Sequence, residues 1–327
     1  MPLREVLTQV LNEYGDATPM PFGGHALAGF IRHQGAEAVA EAMGPEGKGL
    51  KTVGSAGAGN WAVAPWIAVF DPLVTESATQ GHYVVYLFNA KASTVHLSLN
   101  QGTTEVREEF GSDARTVLKQ RAKFMRDRLA DYAPLLPVTS IEMGSDARLP
   151  GDYAAGHSMG FTYQLDGMPS EGKLQEDLLS AVRAYRALTF RGGVNEVSEA
   201  GSADDEGLSP AASLIEIRRY RHHKRIERNP GAAKAAKKHH GTRCQVCEMD
   251  FGERYGTLGQ GFIEAHHLKP ISQLEEGVPV EFDVATDFAV LCSNCHRMVH
   301  KMDNPSDINA LRDRIDQTAQ VRRARAQ

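Results

Sequence analysis

Two Cys-x-x-Cys pairs, Cys244-Gln245-Val246-Cys247 and Cys292-Ser293-Asn294-Cys295, hold every cysteine of this chain. Between them lies Glu264-Ala265-His266-His267, and the second pair runs directly into His296-Arg297-Met298-Val299-His300. Four thiolates in two knuckles fill the four positions of a structural zinc and leave none open. Disulfide halves and a redox motif are the competing readings. The N-terminus Met1-Pro2-Leu3-Arg4-Glu5 leads into an amphipathic helix, not an apolar run before a small-residue cleavage site, so a cytoplasmic chain is expected. Such a compartment disfavours disulfides, and a redox motif has no use for two copies. The expected ligand is one structural Zn²⁺ on Cys244, Cys247, Cys292 and Cys295. His266, His267, His296 and His300 stay outside that set, available for a second metal and for a proton transfer.

A chain of 327 residues is long for one hydrophobic core, and two domains are expected. At 42% hydrophobic, with no apolar run near the length of a membrane span, the chain is not expected to cross a bilayer. Its net charge of −5 is an average over unlike parts. Between Arg218 and Arg243 there are ten Lys/Arg and a single acid, Glu227, and the C-terminal stretch adds Arg312, Arg314, Arg322, Arg323 and Arg325. This asymmetry points to a polyanionic partner. Residues 214–228 read as a basic helix with Leu214, Ile217, Tyr220 and Ile226 inward. Arg218, Arg219, Arg221, Lys224 and Arg225 are its candidate phosphate contacts. A merely solvated basic helix is the bland alternative, preferred only where no nuclease-like motif follows.

Residues 3–14 and 24–43 have helical patterning. Residues 54–60 form a Gly-rich turn without the Lys-Ser/Thr ending of a phosphate loop, which excludes that nucleotide site. Strand-like runs follow at 61–70, 83–89 and 94–100, and helical spacing returns at 112–132 and 171–189. Residues 1–190 therefore read as one α+β domain. Residues 191–213 are small and polar and read as a linker, leaving 214–327 as a second domain.

Within that second domain, residues 241–302 resemble the HNH nucleases, the ββα-metal fold, in the branch with a four-cysteine zinc. There a strand ends in an Asp-His or His-His doublet, here His266-His267 followed by Leu268-Lys269-Pro270. A second strand, Phe288-Ala289-Val290-Leu291, leads into the second knuckle, and the following helix carries His296 and His300. A spacing of four places those imidazoles on one helical face. The resemblance implies metal-dependent hydrolysis of DNA phosphodiesters. His267 would be the general base that deprotonates water, a task suited to imidazole. His266, His296 and His300 would hold one divalent cation, Mg²⁺ or Mn²⁺, acting as a Lewis acid on the scissile phosphate and leaving oxygen. The family's middle Asn, nine residues before the first helix histidine, is here Asp287, which can accept a hydrogen bond from an imidazole but cannot donate. Asp287 is a candidate site residue with an open role. Glu264 and Arg297 are weaker candidates.

The stretch Gly57-Ala58-Gly59-Asn60-Trp61-Ala62-Val63-Ala64-Pro65-Trp66-Ile67-Ala68 resembles the N-terminal DNA-binding domain of the McrB family. That family flips a modified cytosine into an aromatic pocket, where an extruded base must be stacked and its edge read. The resemblance makes Trp66 a pocket-lining candidate and Asn60 a DNA-contact candidate. Ala58 stands where the family carries an aromatic, so the groove contact made there is in doubt. Trp61, Tyr83 and Tyr86 are expected to be plain core. Together the halves imply a double-stranded-DNA reader tethered to a cutter, raising the cutter's local concentration, with a homodimer needed to cut two strands. A restriction endonuclease requiring modified cytosine is the leading expectation. Cleavage of a short unmodified sequence blocked by methylation, a binding module with a decayed nuclease, and an RNase or toxin, which the dedicated N-terminal domain disfavours, are the alternatives.

Overall fold

The computed structural model describes residues 1–145, 147–194, 214–227 and 229–325. Most of the expected linker, residues 195–213, lies outside them. The chain divides into two compact units, Met1–Val197 with Glu276–Pro279, and Ser198–Glu275 with Val280–Gln327.

The first unit is a five-stranded antiparallel sheet with helices. Helix α1 (Leu3–Ala17) turns Leu3, Val6, Leu7, Val10, Leu11 and Tyr14 inward, the three-and-four spacing of an amphipathic helix. Helices α2 (Ala26–Phe30) and α3 (Ala36–Met43) are joined by a π-helical turn. The strands are β1 (Lys51–Ser55), β2 (Trp66–Phe70), β3 (His82–Asn89), β4 (Thr94–Gln101) and β5 (Met159–Gln164). They lie side by side in sequence order. Strands β3 and β4 are buried along their whole length, as the centre of a covered sheet must be. Helices α4 (Thr104–Phe110), α5 (Ala114–Arg128) and α6 (Arg148–Gly156) follow β4. The long α7 (Glu171–Phe190), capped by the Ser170 side chain, closes the core.

Two local expectations give way here, and one strand is new. The strand expected at 61–70 begins only at Trp66. Trp61 is pinned in the loop instead, its indole N–H donating to the Met20 carbonyl at 2.9 Å and its ring wedged against Tyr14, Phe22 and His25. Gly54 and Ser55, assigned to a turn, belong to β1. A Cβ on Gly54 would sit 1.9 Å from the Ile31 carbonyl, so this glycine permits close approach rather than chain reversal. Strand β5 carried no clear signal, and its Gly160 lies equally close to the Leu97 carbonyl.

The second unit begins with α8 (Leu214–Glu227) and α9 (Pro230–His240), the latter capped by Asn229 with Pro230 at its first position. Then come α10 (Phe251–Tyr255), β6 (Glu264–His267), α11 (Val284–Asp287), β7 (Phe288–Leu291), α12 (Ser293–Val299) and α13 (Ile308–Arg325). Strands β6 and β7 pair antiparallel, with His266 opposite Ala289 and His267 opposite Phe288. The small core gathers Val246, Ile263, Val290, Leu291, Val299 and Leu311 around three of the cysteines. On α8, Ile226 is buried as expected, together with His222, His223 and Glu227. The side chains of Leu214, Ile217 and Tyr220 lie outside the described set. Among the described residues no helix is long and apolar enough to cross a membrane.

Candidate metal centres

The first knuckle is tied down by backbone bonds. Cys244 N–H donates to the Met249 carbonyl, and Gln245 N–H donates to the Val290 carbonyl while its side-chain oxygen accepts from Val290 N–H, each at 2.9 Å. Glu248, just past Cys247, takes a positive φ of 62°, which folds the chain back under the thiols. The second knuckle starts where β7 ends. Cys292 caps α12 by accepting the Cys295 N–H. All four Sγ atoms lie within 4.8 Å of one another, and Cys247 Sγ is 3.6 Å from Cys292 Sγ. Tetrahedral zinc with bonds of ~2.3 Å needs sulfur separations of about 3.8 Å, so the cluster can hold a structural metal.

A second cluster joins His266, His296 and His300 to a residue the motifs did not flag, Glu227. Strand β6 supplies His266, and α12 and its C-cap supply His296 and His300. Glu227 is the last residue of α8. Its Oε1 lies 2.8 Å from His266 Nδ1, 3.1 Å from His300 Nε2 and 3.4 Å from His296 Nε2. The two helix imidazoles face each other with Nε2 atoms 3.3 Å apart.

The outer bonds fix which nitrogens face inward. His266 Nε2–H donates to the Pro305 carbonyl at 2.9 Å, and His296 Nδ1–H donates to Glu264 Oε2 at 2.5 Å. In their neutral forms these rings therefore aim lone pairs at one another and at a carboxylate oxygen, all acceptors. Such a convergence is stable only around positive charge, a proton or a metal ion. The titration behaviour agrees. Burial alone would raise the Glu227 carboxyl, but hydrogen bonds from His266, His296 and His300 hold it well below the ordinary carboxylate range. Burial opposes the charging of His296, yet Glu227 and Glu264 push it up to about 9. The hydrogen bond from His296 also lowers Glu264, against its burial, with help from Ser293. Glu264, a weak candidate from sequence, is thus the acceptor that orients His296.

His267 points away from this cluster. Its side chain packs against Phe282, Phe288 and His223, with ring centroids 5.8, 5.3 and 5.2 Å away. It is 1% exposed, and neither ring nitrogen has a hydrogen-bond partner among the described residues. Burial and the neighbouring His223 lower its pKa to about 3, so the ring is neutral with a free lone pair. Among the described residues no hydrogen bond joins Asp287 to an imidazole. Its Oδ2 accepts from Lys269 Nζ at 2.9 Å and from Asp283 N–H at 3.0 Å, and these bonds hold it below its ordinary value against the pull of burial. It ties the loop after β6 to the start of β7. His223, one turn before Glu227, was also missed. Its Nε2 bonds the His267 carbonyl at 3.2 Å, and its Nδ1 lies 3.9 Å from Glu227 Oε2.

The candidate phosphate contacts are more enclosed than a solvated face would be. Arg218, Arg219, Arg221 and Arg225 are half-buried, and Arg219 Nε donates to the Leu274 carbonyl at 2.9 Å. The side chain of Lys224 lies outside the described set. In the first unit, Asn60 is exposed in the loop before β2 and Trp66 is half-buried at the strand's first position, paired with Leu87 and Ser55. Tyr83 and Tyr86 are fully buried core.

The fold and its clusters define a two-part mixed helix-and-sheet protein, an N-terminal α+β domain followed by a small unit whose four-cysteine cluster could hold a metal. The family model described as MrcB-like, N-terminal domain, matches residues 9–190. That is more than half of the chain, and the chain belongs to this family. No curated protein matches it. Family membership suggests DNA recognition within a restriction system.

Proposed function

We propose that the chain is a restriction endonuclease in which the N-terminal domain selects double-stranded DNA at a cytosine-containing, modification-dependent site and the C-terminal unit, an HNH module, hydrolyses the phosphodiester. The observation that carries this reading is the convergence of His266, His296, His300 and Glu227 on one point. Mg²⁺ or Mn²⁺ bound by these histidines would supply Lewis-acid stabilisation of the phosphate and of the leaving 3′-oxygen. Glu264 and the Pro305 carbonyl keep the two ligand rings turned inward. His267 takes the proton from the attacking water; the water oxygen bonds phosphorus and the bond to the 3′-oxygen breaks. Its unpartnered nitrogens support that role, because a buried polar group without a partner costs about 1–3 kcal/mol and is retained where something must bind. The arginines of α8 hold the backbone without reading sequence. A homodimer, working in the cytoplasm, would bring two such sites to the two strands.

The test is to incubate the purified protein with Mg²⁺ or Mn²⁺ and two matched plasmids, one unmodified and one carrying methylated or hydroxymethylated cytosine. Cleavage of the modified plasmid alone is expected. Cleavage of the unmodified plasmid alone would reverse the role of modification. Binding with cleavage of neither would leave a reader without a nuclease.

A further inference from the structure

The family pattern accounts for three histidines around the cation; nothing in it calls for a carboxylate from the helix that precedes the module. We infer that Glu227 is a fourth protein ligand of that cation, closing the site in the DNA-free protein, and that a DNA phosphate displaces it. This rests on the cation-binding reading of the histidine cluster.

Three observations support it. First, the donor separations are those of a coordination shell. A four-coordinate ion with bonds of about 2.0–2.1 Å to nitrogen and oxygen has ligand atoms about 3.3–3.4 Å apart. The distances from Glu227 Oε1 to His296 and His300, and between those two rings, are 3.4, 3.1 and 3.3 Å, with His266 Nδ1 closer to Oε1 at 2.8 Å. Second, one oxygen, Oε1, faces all three ring nitrogens, as expected where one charge binds all four donors. Third, the Glu227 carboxylate is buried, and His266, His296 and His300 all converge on its Oε1; a cation held among these donors balances the buried charge.

Two consequences follow. Catalytic metal sites keep a position open for substrate, whereas four protein donors make a closed site. A phosphate oxygen entering this shell meets a carboxylate already there, and exchanging one anion for another is less costly than adding a second. In addition, a shell of three nitrogens and one carboxylate suits Mn²⁺, Co²⁺ or Zn²⁺ better than Mg²⁺, which favours oxygen donors and retained waters.

The experiment uses the full-length, zinc-replete protein and Co²⁺ as probe. Calorimetry and visible absorption would be compared for wild type, Glu227→Gln and Glu227→Asp, with zinc content and circular dichroism checking each fold. Wild type should take one Co²⁺ beyond its zinc and show the intense absorption of a four-coordinate ion. Glu227→Gln should bind Co²⁺ at least tenfold more weakly and lose absorption intensity as water replaces the carboxylate. Glu227→Asp should fall between the two, and it carries the test alone if the Gln variant does not fold. Titrating inorganic phosphate into the cobalt proteins should give tighter binding in Glu227→Gln, where no carboxylate need leave. Unchanged cobalt affinity and spectrum in the variants would overturn the ligand assignment even if DNA is still cut. Equal phosphate affinity would overturn displacement. Uptake of no second cation by wild type would overturn this inference and the nuclease reading together.

Discussion

Replacing Cys292 with Ser should unfold the second unit and spare the first. Cys292 is 2% exposed, and it serves both as a donor in the four-thiol cluster and as the N-cap of α12, accepting the Cys295 N–H. Serine is itself a good N-cap, so the substitution isolates the metal contribution. Structural zinc supplies ~10–16 kcal/mol in small domains, or roughly 2.5–4 kcal/mol per thiolate if shared evenly. The true cost is larger, because Cys244, Cys247 and Cys295 then hold an incomplete shell. Against this, the apolar cluster around the thiols consists, among the described residues, of six buried aliphatic side chains and three of the cysteines themselves, too little to stand without the metal. Limited proteolysis with mass spectrometry should show residues 230–325 digested and 9–190 protected, with the zinc lost from the protein. Cys292→Ala should behave alike but lie about 1 kcal/mol lower for the missing cap. Retained zinc, or a protected second unit in Cys292→Ser, would refute the reasoning.

Neutralising Arg218, Arg219, Arg221, Lys224 and Arg225 together should weaken DNA binding uniformly across sequences and flatten its salt dependence by about 0.9 per lost phosphate contact. Altered site choice would instead make α8 a base reader. The first unit should lose stability in acid. Burial lowers His157 to about 4, while its ring bonds Ser98 and the Val138 carbonyl. The folded value lies below the ordinary 6.5, so the fold favours the neutral ring. That contribution is complete above about pH 6.5 and is lost as pH falls towards 4, reaching about 3 kcal/mol. Urea melts at pH 7 and pH 4.5 should show it, and an equal fall in His157→Asn would assign it elsewhere.

What could be read from sequence was local. Each knuckle, the histidine doublet and the His296–His300 pair is close-spaced and so visible as a motif, although only His266 of the doublet joins the cluster. Glu227 is separated from His266 by 39 residues and sits in a run that composition assigns to phosphate binding. Its only signal was its isolation, one acid among ten bases. His223 was hidden in the same way, reaching His267 only because α8 packs beside β6. In the first unit, β3 was legible because its sequence is nearly continuous in apolar residues, and β4 because Val95, Leu97 and Leu99 recur at every second position. Strands β1 and β5 were not, because Gly54 and Gly160 are needed for close backbone contact and weaken any strand pattern. The run at 61–70 looked like one strand because Trp61 and Val63 are strand formers. Loop contacts made by Trp61 overrode that propensity.

The most direct measurement compares His267→Ala and His296→Ala across a Mn²⁺ titration of plasmid cleavage. Both variants should keep zinc and bind DNA, and both should lose cleavage at low Mn²⁺. Raised Mn²⁺ should restore part of the activity to His296→Ala, which has lost a ligand for the cation. It should restore none to His267→Ala, which has lost the proton acceptor. Full cleavage by His267→Ala would contradict the proposed chemistry and leave the histidine doublet a structural element of strand β6.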